Sequence, residues 1–213
     1  MLNDSTVNLL SKDMCVDVND LYNKLNSSEI LSVKDEFFEI IDNFASMILS
    51  YDNDYKNKIN EIRGNAEYKY SYEQYILIDS IGHAFISFRR NGLLGLWVNQ
   101  ENEVLYPRII IREILEPNDI DKLENEIEIY RGCNIQEYNN KDYNQSWTTK
   151  KEIAQDFAYQ KYESQSWFKK EDRCILQATI KKEYVYYAKQ TDHECEIVVN
   201  SKRLKNIKII QQG

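Results

Sequence analysis

Residues 126–132 read E-I-E-I-Y-R-G. Charged and apolar residues alternate along this segment, as they do on a strand with one buried face. The glycine at its end permits a turn or the close approach of another backbone. Further strands are predicted after it, at residues 174–180, 184–187, 196–200 and 207–210. Strands dominate this part of the chain, so we expect a mainly antiparallel sheet.

A second segment, residues 146–149, reads S-W-T-T and leads into a predicted helix over residues 150–162. Thr149 and Glu152 have the spacing of a capping box, in which the two side chains satisfy backbone N–H groups at the helix start. The helix has an apolar stripe that predicts one buried face, formed by Ile153, Ala154, Phe157 and Ala158.

A third segment, residues 194–199, reads E-C-E-I-V-V. An acidic pair, Glu194 and Glu196, opens the predicted strand. Because side chains alternate between the two faces of a strand, both carboxylates are expected on the same face.

The N-terminal part of the chain, residues 1–125, has the pattern of a helical region. Apolar residues recur with helical spacing between residues 37 and 48, and Ser32 is predicted to cap that helix. Shorter patterns predict helices at residues 17–26 and 72–90, with Gly92 and Gly95 breaking the pattern after the latter. The fold class is therefore α+β, with helical residues 1–125 packed beside a second domain at residues 126–213.

Charge and composition restrict the expected location of the protein and the kinds of site it can contain. The chain of 213 residues has a net charge of −8, which divides into 12 − 22 = −10 for residues 1–125 and 15 − 13 = +2 for residues 126–213. No signal peptide and no apolar stretch of membrane-spanning length is visible, so we expect a cytoplasmic protein without a membrane partner. The four cysteines form no C-x-x-C pair, which favours reduced thiols and no metal site.

Taken in order, Y-R-G, S-W-T-T and E-x-E resemble the arginine–serine–glutamate branch of the mono-ADP-ribosyltransferases, in a compact microbial form known from toxins and phage defence. The resemblance covers roughly residues 126–200. It implies a two-sheet catalytic core, NAD as the substrate and no metal. The interval from Ser146 to Glu196 is short for the branch, which implies a trimmed substrate loop.

The resemblance also implies roles for individual residues. Glu196 and Glu194 would be the catalytic residues. Glu196 would stabilise the ribosyl cation, and Glu194 would orient or deprotonate the acceptor. The guanidinium of Arg131 would bind the NAD phosphates. The other residues expected to bind NAD are Gly132, Ser146, Trp147 and Thr148. Stacking on nicotinamide is expected of Trp147 or Tyr187, and residues 188–193 would form the loop that meets the acceptor.

Several functions stay open at the level of sequence. The acceptor of ADP-ribose is a macromolecule, with protein arginine slightly favoured by Glu194 and an RNA or DNA base close behind. The family implies an intracellular toxin or effector and a cognate antitoxin as a partner. The alternatives are an NAD glycohydrolase, in which water is the acceptor, and a catalytically silent binding module of the same fold.

Overall fold

The computed structural model describes residues 1–100, 105–165 and 167–213. The chain divides into two compact units, Met1–Ile110 and Ile111–Gly213. This division falls earlier than the predicted boundary after residue 125. Residues 111–125 belong to the second unit because Leu115 N–H donates to Tyr186 O and Asp119 N–H donates to Ala188 O, at 2.9 and 2.8 Å.

The first unit is helical, as the sequence predicts. Its α-helices are α1 (Asp4–Asn8), α2 (Val18–Leu25), α3 (Lys34–Leu49), α4 (Tyr55–Lys69) and α5 (Tyr72–Val98). Helix α3 buries the predicted apolar stripe, including Phe37, Ile41 and Phe44. The predicted cap at Ser32 is wrong. Residues 31–33 form a short 3-10 turn, which places Val33 at the N-cap, and no side chain caps the helix.

Helix α5 confirms the sequence prediction of a break at Gly92. Its start is capped by Ser71, whose side chain and that of Gln74 form a capping box. The helical geometry is interrupted at Asn91 and at Gly92, where φ is +59°. Glycine adopts this left-handed conformation without steric cost, so the chain bends there before the helix resumes and runs through Gly95.

The described residues of the second unit form a sheet and two α-helices. Its helices are α6 (Gln136–Asn140) and α7 (Lys151–Tyr159). The strands are β1 (Glu126–Asn134), β2 (Ser146–Thr148), β3 (Arg173–Lys181), β4 (Val185–Lys189), β5 (Glu196–Val199) and β6 (Lys205–Gln212). Every strand predicted from sequence is present, and the short strand β2 extends the pairing between β1 and β5. The protein is therefore α+β.

The sheet differs from the expected two-sheet core. The described strands form one six-stranded sheet in the order β4-β5-β2-β1-β3-β6, with every neighbouring pair antiparallel. Its two halves, β4-β5-β2 and β1-β3-β6, meet through a single residue pair, Tyr130 and Thr148. Because this pair remains hydrogen-bonded, the sheet is continuous at its narrowest point.

One face of the sheet carries the main core of the unit. It is formed by apolar side chains that alternate along the strands, among them Ile129, Trp147, Leu176 and Ile197. Helix α7 packs on the opposite face through Ala154, Ala158 and Tyr159 against Ile175. These two layers place the cleft described below on the face that α7 covers.

Gly132 lies directly against the backbone of α7. A Cβ atom there would lie 2.0 Å from Ala154 O and 2.5 Å from Ala158 N. A side chain cannot fit at these distances, so the glycine of the Y-R-G segment permits the close packing of helix on strand.

The predicted capping box at the start of α7 is wrong. The helix begins at Lys151 with Lys150 at its N-cap, and no side chain caps it. The hydroxyl of Thr149 instead donates to Gln190 Oε1 at 2.8 Å, because that residue follows β2 and faces the turn before β5.

The four cysteines are thiols, and Cys133, Cys174 and Cys195 are buried. Cys133 and Cys174 lie directly opposite each other on β1 and β3, with Sγ atoms 3.9 Å apart. None of the helices in the described ranges is long and apolar enough to cross a membrane.

Candidate functional site

A cleft lies where β1, β2, α7 and the turn before β5 meet, and its empty volume, counted with its opening to solvent, is about 340 Å³. All seven residues predicted from sequence to act on NAD line it: Arg131, Gly132, Ser146, Trp147, Thr148, Glu194 and Glu196. The remaining lining residues are Tyr130, Ile153, Ala154 and Phe157. Three segments that are distant in sequence therefore meet at one place.

The carboxylate of Glu196 is oriented by a serine. Strands β2 and β5 are antiparallel, and Thr148 lies opposite Glu196 while Ser146 lies opposite Val198. This register places Ser146 diagonally across from Glu196, and the Ser146 hydroxyl donates to Glu196 Oε1 at 2.7 Å. The bond limits rotation of a half-buried carboxylate at the cleft.

Thr148 holds the turn that leads into β5. Its hydroxyl donates to the carbonyl oxygen of Glu194 at 2.7 Å and accepts from the backbone N–H of Lys150 at 3.1 Å. One side chain thus ties the end of β2 to the acidic pair. The role of Thr148 in binding NAD stays a prediction.

Gln190 supports the same turn and was not predicted as a site residue. Its Nε2 group donates to the carbonyl oxygens of Cys195 and Glu196, at 3.2 and 3.1 Å. Its Oε1 atom accepts from Thr149. The residue lies in the predicted acceptor loop, residues 188–193, but nothing in its sequence context distinguishes a glutamine that bonds to backbone from one that faces solvent.

Glu194 lines the cleft by a different route from the one predicted. Strand β5 begins at Glu196, and Cys195 has a left-handed φ of +44°. The expected alternation is therefore wrong here, because it requires extended backbone between the two glutamates. The Glu194 side chain, 47% exposed, pairs instead with Lys161 Nζ at 2.8 Å.

Lys161 contacts two residues that line the cleft. Besides its bond to Glu194, its ammonium lies 3.9 Å from the centre of the Phe157 ring. A carboxylate and an aromatic face together are a common way to hold a cation. At the rim of the cleft, the ammonium group of Lys161 occupies the place between Glu194 and Phe157 where another cation could bind.

Arg131 is held by a carboxylate that sequence reasoning missed. Its Nε and Nη2 atoms donate to Glu137 Oε2 and Oε1 at 2.9 and 2.8 Å, a bidentate pair, and Nη1 donates to Ser146 O at 2.7 Å. Glu137 lies on α6, and no periodicity or motif marks it as a partner. The role of Arg131 in binding NAD phosphates stays a prediction.

The Glu137 carboxyl is ionised in this setting. Burial acts to raise its pKa, but the charge of Arg131 and hydrogen bonds from Arg131 and Asn144 together outweigh burial and lower the pKa below its ordinary value of 4.5. The cleft therefore borders a paired guanidinium and carboxylate rather than an isolated positive charge.

The aromatic residues at the cleft are not those expected. Trp147 is only 2% exposed within the core, where its Nε1–H donates to Asn144 O at 2.9 Å, and Tyr187 is 3% exposed. Burial, followed by the charge of Glu196, raises the pKa of Tyr187. The aromatic side chains with access to the cleft are Tyr130 and Phe157, which flank it from β1 and α7.

The chemistry available at this cleft follows from these contacts. Glu196 offers an oriented carboxylate that can stabilise positive charge developing on a sugar, and Glu194 offers a second carboxylate at the rim. Within the described parts of the chain, no cluster of His, Cys, Asp and Glu is arranged to hold a metal ion.

Comparison of the chain with models of known protein families gave no match, and comparisons with curated proteins and with solved structures gave none either.

Proposed function

We propose that this protein is an NAD-dependent mono-ADP-ribosyltransferase that acts as a cytoplasmic toxin or effector. The observation that carries the proposal is the hydrogen bond from Ser146 to Glu196 inside a cleft lined by every residue that the motif pattern selects. Candidate catalytic and binding residues that meet in one cleft support the presence of an active site there. Its partners would be NAD, a macromolecular acceptor and a cognate antitoxin.

Glu196 has the central chemical role in this proposal. Its carboxylate, fixed by Ser146, stabilises the positive charge that develops on the ribose as the nicotinamide–ribose bond breaks. The electron pair of that bond leaves with nicotinamide. An acceptor nucleophile then forms the new bond to the same carbon, and Glu194 accepts the proton that the nucleophile loses.

The side chains that line the cleft suggest which end of the dinucleotide would bind there. The nicotinamide and its ribose would lie beside Glu196, with Tyr130 and Phe157 replacing Trp147 and Tyr187 as the stacking candidates. The remainder of NAD would extend beyond this cleft.

The expected two-sheet core belongs to the same proposal. In the described strands, backbone pairing joins the two halves of the sheet at Tyr130 and Thr148 alone, and both residues line the cleft. In the proposed core, the two halves would act as separate sheets on either side of this junction. The narrow junction supports a core organised as two halves around the substrate.

The acceptor is proposed to be protein arginine, with a nucleic-acid base as the second choice. Glu194 provides the charge that a guanidinium requires. NAD glycohydrolase activity is the second candidate function, and the Glu194–Lys161 ion pair favours it, because a neutralised carboxylate attracts a cationic acceptor less strongly than water.

The test uses NAD labelled in the adenylate part, purified protein, a cell lysate and total RNA, with Glu196→Gln in parallel. Glu183→Gln is a matched control, since Glu183 is an exposed glutamate whose ion pair with Lys181 is long, at 3.8 Å. Label on protein supports the arginine transferase, and label on RNA moves the acceptor to nucleic acid. Free ADP-ribose alone indicates the glycohydrolase. Absence of any turnover that Glu196→Gln removes would leave a silent binding module.

A further inference from the structure

Glu137 lies close to the proposed active site without lining the cleft. We propose that Glu137 is a positioning residue that makes Arg131 a bracket for the Ser146–Glu196 pair instead of a ligand for phosphate. This inference rests on the proposed function and revises the phosphate-binding role that the family resemblance implies for Arg131. It concerns a residue outside the three motif segments.

The first support is how completely the Glu137 carboxylate is used. Oε1 accepts from Arg131 Nη2 at 2.8 Å and from Asn144 Nδ2 at 3.2 Å. Oε2 accepts from Arg131 Nε at 2.9 Å and from the Asn144 backbone N–H at 3.1 Å. The side chains of Arg131 and Glu137 are only 12% and 13% exposed. One carboxylate therefore joins strand β1 to the residues that precede β2.

The second support is the continuous path from this carboxylate to Glu196. Arg131 Nη1 donates to the carbonyl oxygen of Ser146, and the hydroxyl of the same serine donates to Glu196 Oε1. Asn144, the other partner of Glu137, accepts the indole N–H of Trp147 through its carbonyl oxygen. Hydrogen bonds that begin at Glu137 therefore fix residues on both sides of Ser146.

The path matters because β2 has little other support from β1. The two strands share one residue pair, Tyr130 and Thr148. The Arg131–Ser146 contact adds a side-chain bond near the other end of β2. Without Glu137 to orient the guanidinium, Ser146 would lose this contact with β1 and keep its pairing with β5.

Electrostatics points the same way. A bidentate carboxylate neutralises the guanidinium, and separating a partly buried pair leaves an uncompensated charge. Arg131 would have to lose this partner to bind a pyrophosphate with the same edge. The arrangement instead favours a guanidinium that keeps its position during turnover.

The experiment compares wild type with Glu137→Gln, which keeps the shape of the side chain and removes its charge, and with Glu183→Gln as control. If Glu137 positions, kcat for NAD cleavage falls roughly tenfold or more while KM for NAD changes less than about threefold, since small displacements of reacting groups act mainly on kcat. Glu137→Asp, which restores the charge, should recover part of the loss. A lower KM with kcat retained would overturn the inference, because it would mean that a released Arg131 binds phosphate.

A second arm needs no activity, so it separates this inference from the proposed function. Thermal midpoints are measured for Glu137→Gln, Ser146→Ala and the double variant. Since Ser146→Ala removes the hydroxyl at the far end of the same path, the double variant should lose less than the sum of the single losses. Strictly additive losses would overturn the bracket even if NAD is cleaved. Coupled losses without NAD turnover in wild type would support the bracket and reject the proposed function.

Discussion

The Ser146 hydroxyl lies 2.7 Å from Glu196 Oε1, although the two residues belong to different strands. The register of β2 and β5 places them diagonally, which brings a short side chain within reach of the carboxylate. This contact joins two motif segments and underlies the first prediction below.

Replacing Glu196 with Gln should reduce NAD cleavage by roughly 10²- to 10³-fold, because an oriented charge at the developing cation is lost. Ser146→Ala should cost roughly ten- to a hundredfold, since it removes one hydrogen bond to that charge. Both rates are measured as nicotinamide release at saturating NAD. Loss of less than twofold in Glu196→Gln would be incompatible with the proposed role of this residue.

Glu194→Gln should separate bond cleavage from transfer. The residue lies at the rim and outside β5, so NAD cleavage should persist while label on the macromolecular acceptor decreases. Its ion pair with Lys161 is partly exposed, so the free energy of unfolding should change by less than about 1 kcal/mol. The matched variant Lys161→Gln should increase transfer to a cationic acceptor, because it removes the internal competitor for Glu194. Equal loss of cleavage and transfer in Glu194→Gln would contradict this division of roles.

Gly132→Ala should destabilise the protein strongly. The added Cβ would lie 2.0 Å from Ala154 O, and moving α7 away from β1 should cost about 3 kcal/mol or more. The control is Gly64→Ala in α4, where a Cβ meets nothing within 4 Å. That change should be neutral or stabilising by about 0.5–1 kcal/mol, since alanine is the better helix former. Thermal unfolding of the two variants checks the contrast, and similar midpoints would mean that α7 is not packed as described.

The stabilising effect of Glu137 should depend on pH in one direction. Its pKa is lowered in the folded protein, so the stabilisation is fully present above the ordinary pKa of 4.5 and is lost as pH falls through the lower folded value. Wild type should exceed Glu137→Gln by about 3 kcal/mol near pH 7, and the gap should narrow below pH 4.5. Denaturant unfolding at several pH values measures it. If this difference in the free energy of unfolding grew as the pH fell, the pKa of Glu137 would be raised in the folded protein and not lowered.

The thiols should differ in reactivity by position. The hydrogen bond with Cys174 and burial raise the pKa of Cys133, and both residues are fully buried. A thiol reagent should therefore modify Cys15, which is only partly buried, much faster than Cys133, Cys174 or Cys195. Mass spectrometry after brief labelling of native and denatured protein reads this out. Rapid native labelling of Cys133 would indicate that β1 and β3 separate.

Much of the fold could be predicted because local patterns carry it. The apolar spacing of α3, the helical pattern of α5 and the break at Gly92 all depend on residues within one or two turns. The alternation in residues 126–131 likewise predicted β1. Helix capping was less predictable, although Ser32 and Thr149 have suitable side chains. Ser32 lies within a 3-10 turn, and the hydroxyl of Thr149 donates to Gln190 instead of capping α7.

The sequence predicted which residues form the site, but it did not predict the hydrogen bonds and ion pairs between them. The order of the three segments selected seven residues that line one cleft. The extended backbone expected between Glu194 and Glu196 was wrong, because the left-handed conformation of Cys195 leaves no periodic trace in the sequence. The stacking aromatics were misassigned because strand alternation turns Trp147 into the core.

By itself, the sequence determined the α+β class, the helical first part and the strands that carry the motif residues. Short-range periodicity and steric preference are enough for these features. Only the tertiary structure decided that residues 111–125 belong to the second unit, that a single residue pair joins the halves of the sheet, and that Glu137 holds Arg131. These contacts join segments that are far apart along the chain, so they leave no periodic pattern in the sequence of either segment. They form only when the strands and helices pack together.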